Sequence, residues 1–292
     1  MLPVTGETAL MNALLQLVAG GQSYAVLLPV FLGLVGAERL IYARSASREW
    51  DERDALVNGL ITGCYLLVEL IVGWLAPLAA LAWLHEHGRL WTLGMDAGSW
   101  VVAFLLFDLC WYVDHRVAHR VSAFWALHQV HHSSNAYTTL VSSRGFLGDA
   151  TMLTRPMFFA LALFGVSPLH FVVIKIATSV WGIAQHTRLV GRLGPLDAVL
   201  ATPSNHRVHH GSNPKYIDRN YGEVLIVWDR LFGTYQREEE EPTYGLTTPE
   251  RSYNPLWIQV AGLAWLAARV RAARGAGEVV RSIVGPPERD VG

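Results

Sequence analysis

Apolar residues gather in four long blocks. Residues 24–37 (YAVLLPVFLGLVGA) extend to about 18 residues of apolar character, close to the roughly 20 that a helix needs to span hydrocarbon. Residues 55–84 form a longer block with Glu69 as its only charge and Pro77 near its end. Residues 99–113 (SWVVAFLLFDLCWYV) are interrupted only by Asp108. Residues 157–183 form the fourth block, broken at Ser167–Pro168, where proline predicts either a kinked span or a helical hairpin dipping into the membrane. A weaker stretch, 256–268, precedes an Arg-rich tail and reads as an interfacial amphipathic helix.

Composition strengthens the membrane reading. Hydrophobic residues make up 52% of the chain and charged residues 16%, against about 25% charged in a soluble domain. A net charge of -1 gives no support to a nucleic-acid partner. Cys64 and Cys110 lie in apolar runs and read as small buried hydrophobes, with no disulfide framework. The first apolar stretch has no basic segment before it, so a cleaved signal peptide is not expected.

The basic residues are nearly all Arg, a composition that suggests a bacterial source. Residues 1–23 carry no Lys or Arg, the 38–54 loop carries Arg39, Arg44, Arg48 and Arg53, and the chain is Arg-rich again after 114. The positive-inside rule puts the last two regions in the cytoplasm, hence a bacterial inner membrane. The expected fold is an all-α integral membrane protein with about four membrane-embedded helical segments. Residues 1–274 are expected to form a single domain, and 275–292, with Gly, Pro and charge, a flexible tail.

The histidines carry the chemistry. They cluster as His115-x-x-x-His119, His128-x-x-His131-His132 and His206-x-x-His209-His210, with His186 between the second and third clusters. On a helix, residues three and four apart share a face, so each cluster projects two or three imidazoles together. Imidazole suits Fe, Zn, Cu and Ni. Eight or nine converging rings exceed the four ligands of one tetrahedral zinc and suffice for two metals. The first cluster directly follows the third apolar block, which sets the site at the cytoplasmic face within reach of the bilayer. Asp108, Asp114, Asp218, Glu223 and Asp229 are candidates to orient the rings by accepting their second N–H. Asp108 stands two turns below His115 on about the same face. Arg207 and Asn205 flank the third cluster, as head-group contacts or helix-surface residues. His85, His87 and His170 read as ordinary histidines.

At these residues the chain resembles the fatty acid hydroxylase, or sterol desaturase, superfamily. The words that carry the resemblance are FDLCWYVDHRVAH (107–119), FWALHQVHHSS (124–134), QHT (185–187), LGPLD (193–197), TPSNHRVHHGSN (202–213) and YIDRNYGEVLIVWDRLFGTY (216–235). The last segments look most like the alkylglycerol monooxygenase branch. The resemblance implies a helical membrane fold with a cytoplasmic helical cap holding a non-haem centre of two Fe. It implies O2-dependent hydroxylation, or alternatively desaturation, of a lipid-like substrate. The implied ligands are His115, His119, His128, His131, His132, His186, His206, His209 and His210, with no catalytic side chain beyond the metal centre. The electron donor is unknown, and a separate reductase or small reductant is expected as partner.

Two rivals start from the same histidines. A zinc-dependent lipid hydrolase would need a general base such as the Glu of H-E-x-x-H, and no Glu lies inside any cluster. A metal transporter would spread its ligands along the spans rather than gather them at one face.

Overall fold

The computed structural model describes residues 24–45, 50–72, 75–152, 154–247 and 252–287, and among them only helices, turns and isolated bridges occur. The expectation of no cleaved signal peptide falls on residues outside this set.

The first block forms α1 (Tyr24–Ser45). Along the second block lie α2 (Glu52–Val72) and α3 (Leu75–Gly88). The third forms α4 (Ala97–Arg120), whose Asp96 N-cap accepts from the amides of Gly98 and Ser99 and satisfies donors that the first turn leaves open. Of the described helices, α4 alone is long and apolar enough to cross a membrane by length and composition. It runs on through His115 and His119, so the apolar block and the first histidine pair are one rigid rod. After a single break at Val121, α5 (Ser122–His132) carries the second cluster.

The fourth block breaks where proline predicted. A 3-10 turn and the short α6 (Ala160–Leu163) lead to Gly165, whose φ of 80° lies in the left-handed region. Helix α7 (Pro168–Gln185) then starts with Pro168 in its first turn and Ser167 capping the amide of His170. His186 is the C-cap of α7. The third cluster sits on α8 (Pro203–His210), capped by Thr202. Helix α9 (Val227–Leu231) follows, then α10 (Pro255–Ala272).

One apolar core joins α3, α4, α6 and α7 through Leu81, Phe107, Leu161 and Phe171. A smaller one joins α2, α5 and α10 through Ile61, Val130 and Ile258. The contact of α10 with α5 is backbone against backbone: a Cβ on Gly262 would stand 2.0 Å from the Ala126 carbonyl oxygen. Exposed Leu256, Val260 and Leu263 remain on its outer side, as on an interfacial helix. The segment expected as a flexible tail contains a further helix, α11 (Ala276–Val284). The Gly285 carbonyl that follows it accepts from both the amide and the hydroxyl of Ser122, tying it to the start of α5.

Candidate metal centre

The three clusters and His186 meet in two adjoining nests of imidazole nitrogens. One holds His115, His119, His128, His132 and His209, the other His131, His186, His206 and His210. The ligand atoms of each nest lie within 4.8 Å of one another.

Helix geometry explains the division. In α5, His128 and His132 are one turn apart and enter the five-ring nest, while His131 crosses to the other. In α8, His206 and His210 enter the four-ring nest, and His209 crosses back. Each H-x-x-H-H word thus contributes a same-face pair to one nest and a crossing ring to the other. His115 and His119 of α4 complete the first nest; His186 from the end of α7 completes the second.

Eight of the nine rings are buried and His131 is half-buried. His115 Nδ1 donates to the Tyr221 carbonyl at 2.9 Å, His131 Nδ1 to that of Arg144 at 2.9 Å, His186 Nδ1 to that of Gly182 at 2.7 Å, and His209 Nδ1 to that of Arg219 at 3.0 Å. Burial pushes the pKa of His131 down to about 4, and those of His128, His132, His186, His206 and His210 well below the ordinary value. Neutral rings follow.

This arrangement tests whether a metal fits. A neutral imidazole that donates from Nδ1 has only a lone pair at Nε2. His131 and His186 both donate from Nδ1, yet their Nε2 atoms face each other at 3.3 Å. Two lone pairs at that distance repel, and a cation between the rings turns the repulsion into coordination. Among the described residues none hydrogen-bonds the buried Nε2 of His210, an orphan of the kind a metal would satisfy. The nitrogen donor set fits iron and equally zinc or copper.

The five proposed orienting carboxylates do different work. Asp218 Oδ1 lies 3.5 Å from His119 Nδ1, while its Oδ2 accepts from Arg120. Asp108, fully buried, accepts from the amides of Val224 and Leu225 and from Trp228 Nε1 and so anchors the loop after α8. Asp229 clamps the same loop through the amides of Tyr221 and Gly222, setting the Tyr221 carbonyl against His115. Asp114 pairs with Arg155 at 3.0 Å. The Glu223 carboxyl faces a chamber beside the nests. Arg207 and Asn205 are neither head-group contacts nor helix-surface residues. Both are buried: Arg207 pairs with Glu238 and donates to the carbonyls of Thr187 and Val190, and Asn205 donates to those of Asp197 and Leu200.

That chamber, about 340 Å³, has His115, His128, His131, His186 and His206 on its wall. Most of the remainder is apolar, with Leu28, Phe31, Leu66, Phe158 and Phe171 among the lining residues. Arg155 and Lys175 also line it; the histidine pattern did not point to them. Their signal was available as charge inside the fourth apolar block and on its edge.

Residues 100–234 match the fatty acid hydroxylase family model. This region is a fatty acid hydroxylase domain. The chain is 40% identical over 184 residues to alkylglycerol monooxygenase of Homo sapiens, covering 62% of this chain and 41% of that protein. It is 28% identical over 203 residues to an ornithine lipid hydroxylase of Rhizobium tropici, covering 64% and 60%. It is 28% identical over 168 residues to a Δ7-sterol 5(6)-desaturase of Candida dubliniensis, covering 57% and 42%. The chain spans about half the length of the curated relatives it matches. No solved structure matches. All nine histidines of the two nests fall within the fatty acid hydroxylase domain.

Proposed function

We propose that this chain is a membrane-embedded, non-haem two-iron oxygenase that hydroxylates a C–H bond of a lipid, using O2 and electrons from a separate reductase or small reductant. The observation that carries this reading is the chamber: one apolar cavity with rings from both nests on its wall. His115, His119, His128, His132 and His209 would hold one iron; His131, His186, His206 and His210 would hold the other. Bound there, iron supplies O2 activation and C–H oxidation. The chain's own residues do the rest. The backbone carbonyls fix the rings, and the Phe158–Phe171 wall receives an acyl or alkyl chain and keeps water away.

The membrane setting rests on the apolar length of α4 and on large exposed apolar residues such as Leu32, Leu67, Ile71 and Val101 on α1, α2 and α4. We read four membrane-embedded segments beneath a helical cap, with residues 1–274 as one domain. The Arg distribution supports a cap on the cytoplasmic side of a bacterial inner membrane. Relatives named for alkylglycerols, ornithine lipids and sterols support a lipid as substrate. The desaturase among them keeps removal of two hydrogens as the second reading.

Lipid mass spectrometry under 18O2, comparing cells expressing wild type with cells expressing His132→Ala, tests this. A lipid gaining one 18O with wild type alone establishes hydroxylation and identifies the substrate. A lipid losing two hydrogens without label establishes desaturation. No wild-type-dependent lipid from iron-loaded protein supplied with candidate lipids and reductant would overturn the proposal.

A further inference from the structure

The nests are approached from two sides by different rings. His115, His128, His131, His186 and His206 line the chamber. The other four, His119, His132, His209 and His210, line a second and much smaller hollow of about 30 Å³. The two sets share no ring and together account for all nine. The nests therefore stand between the chamber and the hollow. The hollow has room for about one or two waters, and for no lipid chain or organic reductant.

The hollow grades from a carboxylate outside to imidazoles within. Asp218 lines it, its side chain 20% exposed against 3% for His119, and its Oδ1 lies 3.5 Å from His119 Nδ1. The Asp218 backbone is left-handed, with φ 61°, where a residue other than glycine stays only if its surroundings hold it. Arg120 covers Asp218 Oδ2, but that side chain is 56% exposed, and an ion pair so open to water separates easily. Trp125 forms one wall, its ring centroid 5.1 Å from that of His119 and 5.7 Å from that of His132, an aromatic surface that a cation passes at little cost. The floor touches both nests. His132 of the five-ring nest and His210 of the four-ring nest are stacked there, 4.4 Å between centroids.

We propose that this hollow is the port through which divalent metal ions reach both nests, and that Asp218 is the first protein ligand an entering ion meets. The inference rests on the two-metal part of the proposed function and not on the choice of substrate. A divalent ion arrives hydrated, and each water it sheds must be replaced by another donor, because a stripped charge is prohibitively costly to bury. The port offers that exchange in order: the Asp218 carboxylate, then His119, then the rings of the floor. The carboxylate draws the cation from solvent, and the imidazoles then hold a transition metal more firmly. The chamber has no such gradient. Its carboxylates, Glu69, Asp149 and Glu223, are matched by Arg144, Arg155 and Lys175, and apart from its histidines most of the remaining lining is apolar. A separate port also lets an ion be replaced while the chamber is occupied.

The test follows metal uptake rather than turnover. Metal-free full-length protein in nanodiscs is mixed with Co2+, whose visible absorption grows as imidazoles bind it. Thr247 lines the port, so Thr247→Cys is measured before and after labelling with a bulky maleimide; wild type labelled at its exposed Cys64 is the control. The label at Thr247→Cys is expected to slow uptake at least about ten-fold, with the number of ions finally bound unchanged. Leu66→Trp crowds the chamber and is expected to leave the rate within about two-fold of wild type. Asp218→Asn suits a left-handed backbone and removes the charge alone, and it is expected to slow uptake by about five-fold. By microscopic reversibility the label should slow release of Co2+ to excess EDTA as well, a measurement that starts from loaded protein and serves where the metal-free form refills poorly. Uptake and release indifferent to the label, or slowed by Leu66→Trp instead, would overturn the port and leave the metal centre standing. Failure of every form to bind Co2+ would remove the metal centre and the port with it.

Discussion

The five-ring and four-ring nests are built from the same helices in different ways, and the difference assigns them different work. The five-ring nest takes a one-turn pair from α4, a one-turn pair from α5 and a crossing ring from α8. The four-ring nest takes one pair from α8, a crossing ring from α5, and His186 from a helix end. Three of its four rings, His131, His186 and His206, line the chamber, against two of five for the other, His115 and His128. The nest with fewer ligands is the one turned toward the chamber, which suits the proposed oxygenase, where a coordination position must stay open for chemistry.

The sharpest way to break this comparison is to remove one ring from each. His186→Ala leaves three rings in the smaller nest. It is expected to reduce turnover to background and to lower iron content by about one ion per chain. His119→Ala leaves four rings in the larger nest and is expected to keep more of its iron. Metal analysis of the two purified variants beside product assays checks this. Equal iron loss in both would show that the nests are equivalent.

A second test strikes the support of the smaller nest. Arg144 is 1% exposed; its carbonyl accepts from His131, and its guanidinium donates to Asn58 at 2.7 Å and lies 3.4 Å from Asp54. Arg144→Met strands the Asp54 carboxylate in the interior, which costs about 3–5 kcal/mol. Thermal unfolding should fall accordingly, and His131 should loosen before the rings of the larger nest. An unchanged melting temperature would mean that Asp54 is hydrated rather than dependent on Arg144.

Acid probes both nests together. In the unfolded chain each histidine takes up a proton near pH 6.5. In the folded chain burial holds His131 down to about 4 and His128, His132, His186, His206 and His210 well below the ordinary range. The unfolded state therefore binds more protons as the pH falls from about 6.5 toward 4, and stability falls with it. Metal-free protein should lose melting temperature across that window, and metal-loaded protein should begin to lose it at a lower pH. A flat profile for the metal-free form would mean that the rings reach water.

The parts legible in the sequence are those with short periods. The spacing of His128, His131 and His132 predicts one helix and one direction, and Ser167–Pro168 predicts a break. The second block reads as one apolar stretch, and α2 and α3 both lie along it. The division of each H-x-x-H-H word between two nests was out of reach, since it depends on how α5 and α8 cross. The sequence points to acids as the orienting groups, while four of the rings donate to backbone carbonyls, and any residue can supply a carbonyl. Asp108 stood out as a charge inside an apolar helix, and its partners are amides more than a hundred residues away.

Asp218 sets the finest contrast between the nests. In the larger nest His119 faces a carboxylate at 3.5 Å, whereas His131 and His186 in the smaller one donate to carbonyls. A carboxylate raises the basicity of the ring that it accepts from, strengthening metal binding, while a carbonyl mainly fixes orientation. Asp218→Asn keeps the shape and removes the charge. It is expected to weaken iron binding at the larger nest by about ten-fold, the lower end for loss of such a partner, with little change at the smaller. Asp218 also accepts from Arg120, which is largely exposed, so that pair adds little stability and the melting temperature should hardly move. Competitive chelation followed by metal counting separates the two nests. Loss from the smaller nest first would mean that its carbonyl-held rings, rather than Asp218, set the affinity of the pair.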